Sequence, residues 1–481
     1  MSFYGRKNEL ALLKRLRQKN SASLVVLRGR RRIGKSTLIQ EYSKQFSQYI
    51  EIQGLGPSEN NSLLAQLDNF SEFLSLQLNK RKEHFTNWAE AFRKLAESTQ
   101  NKDCLILLDE ISWMGKGDPY FAEKLKIVWD TSFKKNSKLV LVICGSVSSW
   151  IYDNIIMNKA YEGRVSLDLV LEDLKLPEIN QFWLHQKHHL SSFEKMVLLS
   201  VTGGVPKYLE EVIRAESAEV NLVKMCFEKN GLLFSEFEKI FKEIFQKKSK
   251  TMEKIVRMCL LGKRPPSELA KKIRMPLNSD FSEYIRTLEL AGFIAKDYSF
   301  KFDGSPMKVP YLRIKDNYLR FYLKYIEPEK IRIQKGARVI SSFNDLKGYE
   351  AILGYQFENL ILANKDLIIK HLNIPINSVI SAASYYQTKT TKTLAACQVD
   401  LMIHTNLDVF YLCELKCRKI IDKSVIQEMQ KKIKALSVPK RSALKPVLIY
   451  EGQISASDQS LIQDYFFRII HFADLLEDKM G

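Results

Sequence analysis

One stretch constrains this chain more than any other: SLVVLRGRRRIGKSTLIQEYSKQF, Ser23 to Phe46. An apolar run, Leu24 to Leu27, breaks into Gly29-Arg30-Arg31-Arg32-Ile33-Gly34-Lys35-Ser36 and then takes up helical spacing. This is G-x-x-x-x-G-K-[ST] set between a strand and a helix. Such a loop turns so that successive backbone N–H groups point inward at phosphate oxygens, and Gly29 and Gly34 permit the turn and the close approach. Lys35 can reach the β- and γ-phosphates, and the Ser36 hydroxyl can ligate Mg²⁺. The helix that follows adds its positive N-terminal end. Gly29, Gly34, Lys35, Ser36 and Thr37 are the expected contacts to ATP. The three arginines fill the variable positions, whose side chains point away from the phosphates.

Two further strands agree. The run Cys104 to Leu108 reads as a buried parallel strand and ends in Asp109-Glu110. Asp109 is expected to hold the Mg²⁺ shell and Glu110 to orient the attacking water. The run Lys138 to Cys144 ends in Gly145-Ser146, where Ser146 would lie beside the γ-phosphate and sense it. Strand and helix patterns alternate from residue 24 to about 175, so the fold class is α/β with a parallel, doubly wound sheet. The helices are expected at 36–46, 61–79, 86–99, 119–134 and 148–157.

Length and composition bound the rest. A chain of 481 residues implies two to four domains. None of its apolar runs reaches the ~18 residues of a membrane span, and no signal-peptide core precedes the first strand. With seven cysteines and no CxxC pair, buried free thiols in a cytoplasmic protein are expected. The net charge of +19 favours anionic partners, nucleic acid first. Residues 231–330 hold 21 Lys+Arg against 13 Asp+Glu, a surplus of +8.

The stretches FYGRKNEL, GRRRIGKS, LLDEISWM, ICGSV and GGVPKYL together resemble the archaeal and bacterial ATPase group placed among the AAA+-like STAND NTPases. The resemblance implies an ATPase core at 1–175 and a helical lid at 176–245. In that family the lid proline lies close to the nucleotide, a role Pro206 would inherit. Arg164 matches a family arginine that could act as an arginine finger; the alternative is a surface salt bridge.

Residues 246–330 read as three helices followed by two alternating strands, a winged-helix plan. The would-be recognition helix offers Asp280, Glu283 and Glu289 against Arg286 alone, which is poor chemistry for reading bases. Basic residues lie just before it: Lys263, Arg264, Lys271, Lys272 and Arg274. Contact with the DNA backbone and an internal packing role are both open.

Residues 340–481 carry Gln398-Val-Asp400-Leu-Met-Ile as one strand and Val409-Phe-Tyr-Leu-Cys-Glu414-Leu-Lys416 as a second. Glu414 and Lys416 share a face, and Leu415 is expected in the core. An Asp followed by Glu-x-Lys resembles the restriction-endonuclease-like, PD-(D/E)XK, superfamily. The resemblance implies Mg²⁺ held by Asp400 and Glu414, with Glu358 as the extra helix carboxylate, Lys416 assisting the water and Gln427 in support. An even-length turn would set Asp400 opposite Cys413 and turn Glu414 away. The site therefore requires an odd-length turn or a bulge. The leading expectation is an ATP-hydrolysing protein acting on DNA. An ATP-controlled signalling or assembly switch is the alternative, and a homo-oligomer is left open. A helicase-like motor would need a second RecA-like half, which the sequence does not show.

Overall fold

In the first of two compact units, residues 1–173 with 290–292, the inner strands are apolar runs and all five are short. They are β1 Ser23–Arg28, β2 Gln48–Gln53, β3 Cys104–Asp109, β4 Leu139–Gly145 and β5 Val165–Val170. All pair in parallel, in the order β2-β3-β4-β1-β5. The central strands β3 and β4 are buried along their whole length, as a sheet covered on both faces demands. The helices Leu63–Leu78, Trp88–Ser98 and Phe121–Thr131 cover one face through an aromatic cluster of Phe70, Trp88, Phe92 and Phe121. The computed structural model describes residues 3–56, 62–146, 148–245, 249–337, 340, 342–387 and 395–477. Val147, the last residue of ICGSV, and the first residue of the helix expected at 61–79 lie outside them. The expected fifth helix is short, Ser148–Ile151, and runs on as a π-helical turn, Tyr152–Ile156.

The second unit holds residues 174–289 and 293–481. The stretch expected as lid, winged helix and C-terminal domain therefore clusters as one body. It begins with helices including Leu176–His185, Ser192–Thr202 and Ala218–Phe227. Next come Ser249–Met258, Pro266–Ile273 and Ser279–Leu290, then the antiparallel pair β6 Ile294–Asp297 and β7 Tyr311–Ile314. A backbone bridge from Arg264 to Leu312 adds a further rung to β7. The order of elements is the one read from the sequence.

A mixed sheet ends the chain, in the order β12-β11-β10-β9-β8. Its strands are β8 Val379–Gln387, β9 Cys397–Thr405, β10 Val409–Ile421, β11 Ala443–Ile454 and β12 Arg468–His471. The pairs β8–β9 and β9–β10 are antiparallel, and β10–β11 and β11–β12 are parallel. The helices Tyr349–Ala363 and Ser424–Ala435 pack on it. All seven cysteines are buried free thiols. No helix among the described residues is long and apolar enough to cross a membrane.

Candidate functional sites

The phosphate loop lies at the carboxyl end of β1. Gly34 has φ 88° and Arg32 φ 67°, so the loop turns through left-handed backbone into the helix Lys35–Ser43. A methyl group at Gly29 would sit 2.5 Å from the Leu171 carbonyl oxygen, so the position admits only glycine. The Lys35 ammonium donates to the carbonyls of Gly29 and Arg30, 3.0 Å each, and so braces the loop. Thr37 is exposed on the first turn.

The end of β3 meets this loop. The Ser36 hydroxyl donates to Asp109 Oδ2 at 2.7 Å, which brings together the two hard oxygen donors expected around Mg²⁺. Glu110 is held in left-handed backbone, φ 50°, and its Oε2 accepts from both the N–H (3.1 Å) and the hydroxyl (2.8 Å) of Ser146. Ser146 thus fixes Glu110, a tie that spacing alone did not reveal. Burial pushes the Glu110 carboxyl above the ordinary glutamate range, against the pull of Lys35. Arg6, from FYGRKNEL, is buried; it donates to the Ile33 carbonyl at 3.1 Å and pairs with Glu9 at 3.2 Å. Its burial ties the N-terminal stretch to the loop.

Arg164 makes the salt bridge. Its Nε lies 2.9 Å from Asp130 Oδ1 and its Nη2 2.9 Å from Oδ2, a bidentate pair. Pro206 starts the helix Pro206–Glu210, in the second unit.

Residues 3–212 match the family described as an ATPase domain predominantly from Archaea. This part of the chain thus matches an ATPase domain family, and it carries the phosphate loop and parallel sheet of a P-loop NTPase fold. The uncharacterized protein MJECL04 of Methanocaldococcus jannaschii is 25% identical over 370 residues, 74% of this chain and 76% of its own length. Among solved structures, the Walker-type ATPase PABY2304 of Pyrococcus abyssi is 16% identical, with TM-score 0.48, over 67% of this chain and 96% of its own. The ORC2 protein of Aeropyrum pernix is 13% identical, with TM-score 0.42, over 70% and 96%. The STAND protein PH0952 of Pyrococcus horikoshii, which has a tetratricopeptide repeat sensor, is 16% identical, with TM-score 0.30, over 77% and 51%. At these scores the likenesses add nothing to the fold already read from the ATPase domain's sheet.

A second site lies in the C-terminal sheet. The β9–β10 turn is odd: His404 pairs with Phe410 and Leu401 with Cys413. Asp408 closes the turn at φ 51°, its N–H donating to the Thr405 carbonyl at 3.1 Å. The even-length register is therefore not the one formed. Continued by one residue, the observed register brings Asp400 opposite Glu414, on one face. The Leu415 N–H donates to Asp400 Oδ2 at 3.1 Å.

Asp400, Glu414, Lys416 and Glu358 all line one cavity of about 690 Å³. Glu414 is only 1% exposed and is paired twice, to Lys416 at 2.8 Å and to Lys432 at 2.5 Å. Lys416 also bonds Glu428 at 2.5 Å. Burial raises the Asp400 pKa, and Glu358 adds to that, while Lys432 and Lys416 pull it down. Burial lowers the Lys432 pKa, but Asp400 and Glu414 outweigh it and keep that ammonium charged.

Two expectations are corrected here. Leu415 is half-exposed at the cavity wall; its same-face neighbours Cys413 and Cys417 are the buried ones. Gln427 is exposed and away from this cavity, and its helix supplies Glu428, Lys431 and Lys432 instead. Lys432 continues the stripe of Val425 and Met429 at helical spacing, and a lysine in an apolar stripe was the signal that could have found it. Lys263, for which backbone contact and internal packing were both open, has a side chain 8% exposed and sits 2.6 Å from Glu358 and 3.5 Å from Asp297. Among the described residues, no group of three His, Cys, Asp or Glu side chains is arranged to hold a metal ion. Asp400 and Glu414 suit Mg²⁺ in kind, but lysines occupy Glu414.

Proposed function

We propose that this protein binds and hydrolyses ATP and acts on DNA, its C-terminal domain cutting phosphodiester bonds. In the ATPase domain, Lys35 and the loop amides hold the phosphates, Ser36 and Asp109 hold Mg²⁺, and Glu110, fixed by Ser146, orients the water. Arg164 and Pro206 take the roles of finger and lid contact only when a neighbouring copy or the lid closes on the nucleotide. The single observation carrying the nuclease reading is the odd turn that puts Asp400 and Glu414 on one face with Lys416. Bound there, Mg²⁺ would supply an activated water and neutralise the scissile phosphate. Asp400 and Glu414 would hold the ion in place of the Lys432 contact, and Lys416 would lie beside the phosphate. The middle segment is read as a winged helix touching the DNA backbone.

The decisive assay follows plasmid and linear DNA in Mg²⁺, with and without ATP. Wild type should degrade DNA, Asp400→Ala should not, and Lys35→Ala should lose any dependence on ATP. Equal degradation by wild type and Asp400→Ala removes the nuclease. A second reading, an ATP-controlled assembly switch whose C-terminal domain only binds, is favoured by the lysines already seated on Glu414 and Glu358. It predicts no cleavage, with an ATP-dependent change in mass on size-exclusion chromatography.

A further inference from the structure

The carboxylate cavity opens into a second one of about 610 Å³, which shares Tyr355, Glu358 and Gln398 with it. Its other walls carry Tyr311, Tyr386 and Lys263. Tyr311 stacks on Tyr386 with ring centroids 4.1 Å apart and planes at 21°, and the Lys263 ammonium lies 5.3 Å from the Tyr386 ring centre. Tyr311 and Tyr355 are half-exposed, whereas Tyr386 is buried. The Arg320 guanidinium lies 5.1 Å from the Tyr355 ring centre and so backs that ring with charge.

These are the parts of a stacking platform: aromatic faces with cations close behind them. An intact duplex has no free base faces to offer such a cavity. An unpaired base has one, and it would stack on a tyrosine while its neighbouring phosphate meets Lys263 or the lysines next door. The volume suits one or two nucleotides. The junction at Glu358 places that nucleotide directly beside Asp400 and Glu414.

We propose that this second cavity binds the unpaired nucleotides flanking the cleaved bond, so that the substrate is single-stranded DNA or a single-stranded end. The substrate claim rests on the nuclease reading above, but the binding it requires is measured without metal or cleavage. Lys263 lines the second cavity and is paired to Glu358, which both cavities share: a phosphate entering the second cavity competes with Glu358 for it.

The test is fluorescence anisotropy in EDTA, with a fluorescein-labelled single-stranded oligonucleotide and the same sequence as a duplex. Wild type should prefer the single strand. Tyr311→Leu should weaken single-strand binding about 5- to 100-fold, and Tyr311→Phe should stay within about twofold, because stacking needs the ring and not the hydroxyl. Unchanged binding by Tyr311→Leu, or equal losses for strand and duplex, overturns the proposal. Photo-crosslinking of a 5-iodouracil oligonucleotide to the wild-type protein needs no variant. Crosslinks at Tyr311, Tyr355 or Tyr386 support the site, and crosslinks confined elsewhere overturn it. If binding holds while Mg²⁺ produces no cleavage, the cavity stands and only the nuclease reading falls.

Discussion

At the scale of single residues, the two sites solve opposite electrostatic problems. In the ATPase domain one cation, Lys35, is parked on loop carbonyls, and one carboxyl, Glu110, is pinned by Ser146. Lys35→Ala removes a charged hydrogen-bond donor, so ATP affinity should fall on the order of 10- to 100-fold by isothermal titration. Glu110→Gln should still bind ATP but release no phosphate. Because burial raises the Glu110 pKa, the acid limb of turnover should lie above the ordinary glutamate range. Ser146→Ala frees that carboxylate, and its turnover should fall with ATP affinity little changed. In the C-terminal site burial pushes a carboxyl, Asp400, above the ordinary aspartate range. The folded Asp400 pKa is raised, so its contribution to stability is present below the ordinary aspartate value and is lost as pH rises through the raised one. Asp400→Asn keeps the acceptor for the Leu415 N–H and removes the charge. In EDTA at neutral pH its Tm should exceed that of wild type by ~2–4 °C for each kcal/mol recovered. The gap should close below pH ~4, where both side chains are neutral. A variant less stable than wild type at neutral pH would mean the Lys432 attraction outweighs burial.

At the scale of elements, β10 carries the C-terminal site and is the strand whose geometry is least forgiving. Its pairing with β11 slips between Cys417 and Ile420, and Gly452 lies across from that slip at φ 131°. A methyl group at Gly452 would run into the Arg418 carbonyl. Gly452→Ala should therefore cost several kcal/mol, about 3 or more, seen as a loss of denaturation midpoint, while ATP binding in the first unit persists. The same strand shows what sequence can and cannot carry. Its apolar run and the same-face pair Glu414 and Lys416 were legible, as was the whole phosphate loop, because each is a local pattern. The face shared with Asp400 was not. It hangs on whether the turn at Asn406 to Asp408 is odd, and Asn and Asp suit turns of either parity. Lys263 and Lys432 were beyond reach for another reason. Each meets its carboxylate through tertiary packing: 95 positions separate Lys263 from Glu358, and 18 separate Glu414 from Lys432. The acidic character of the helix Ser279–Leu290 was legible: Arg286 is tied to Glu283 at 2.8 Å, and Glu289 to Lys296 at 2.7 Å.

At the scale of the whole molecule, charge bears on the proposed nucleic-acid partner. The surplus is +19, yet much of the middle segment's positive charge is spent internally: Lys263 on Glu358, Arg313 on Asp297, and Arg264 on Glu268. Lys271 and Arg274 here, and Lys431 and Lys434 in the helix Ser424–Ala435, are exposed and not arranged as a base reader. Lysines of this kind neutralise phosphates one at a time, and each neutralised phosphate releases condensed counterions. Nucleic-acid affinity should therefore fall steeply with salt and vary little with sequence. With about six phosphate contacts on duplex DNA, the loss between about 50 and about 200 mM salt is roughly a thousandfold. Stacking in the tyrosine cavity does not release counterions. On a single strand, Tyr311→Leu should lower affinity by the same factor at every salt concentration, leaving the slope unchanged. Replacing Lys431 and Lys434 with glutamine should flatten the slope and leave the single-strand preference intact. Anisotropy titrations across salt separate the two. A slope insensitive to both lysines would put the phosphate contacts on another surface of the chain.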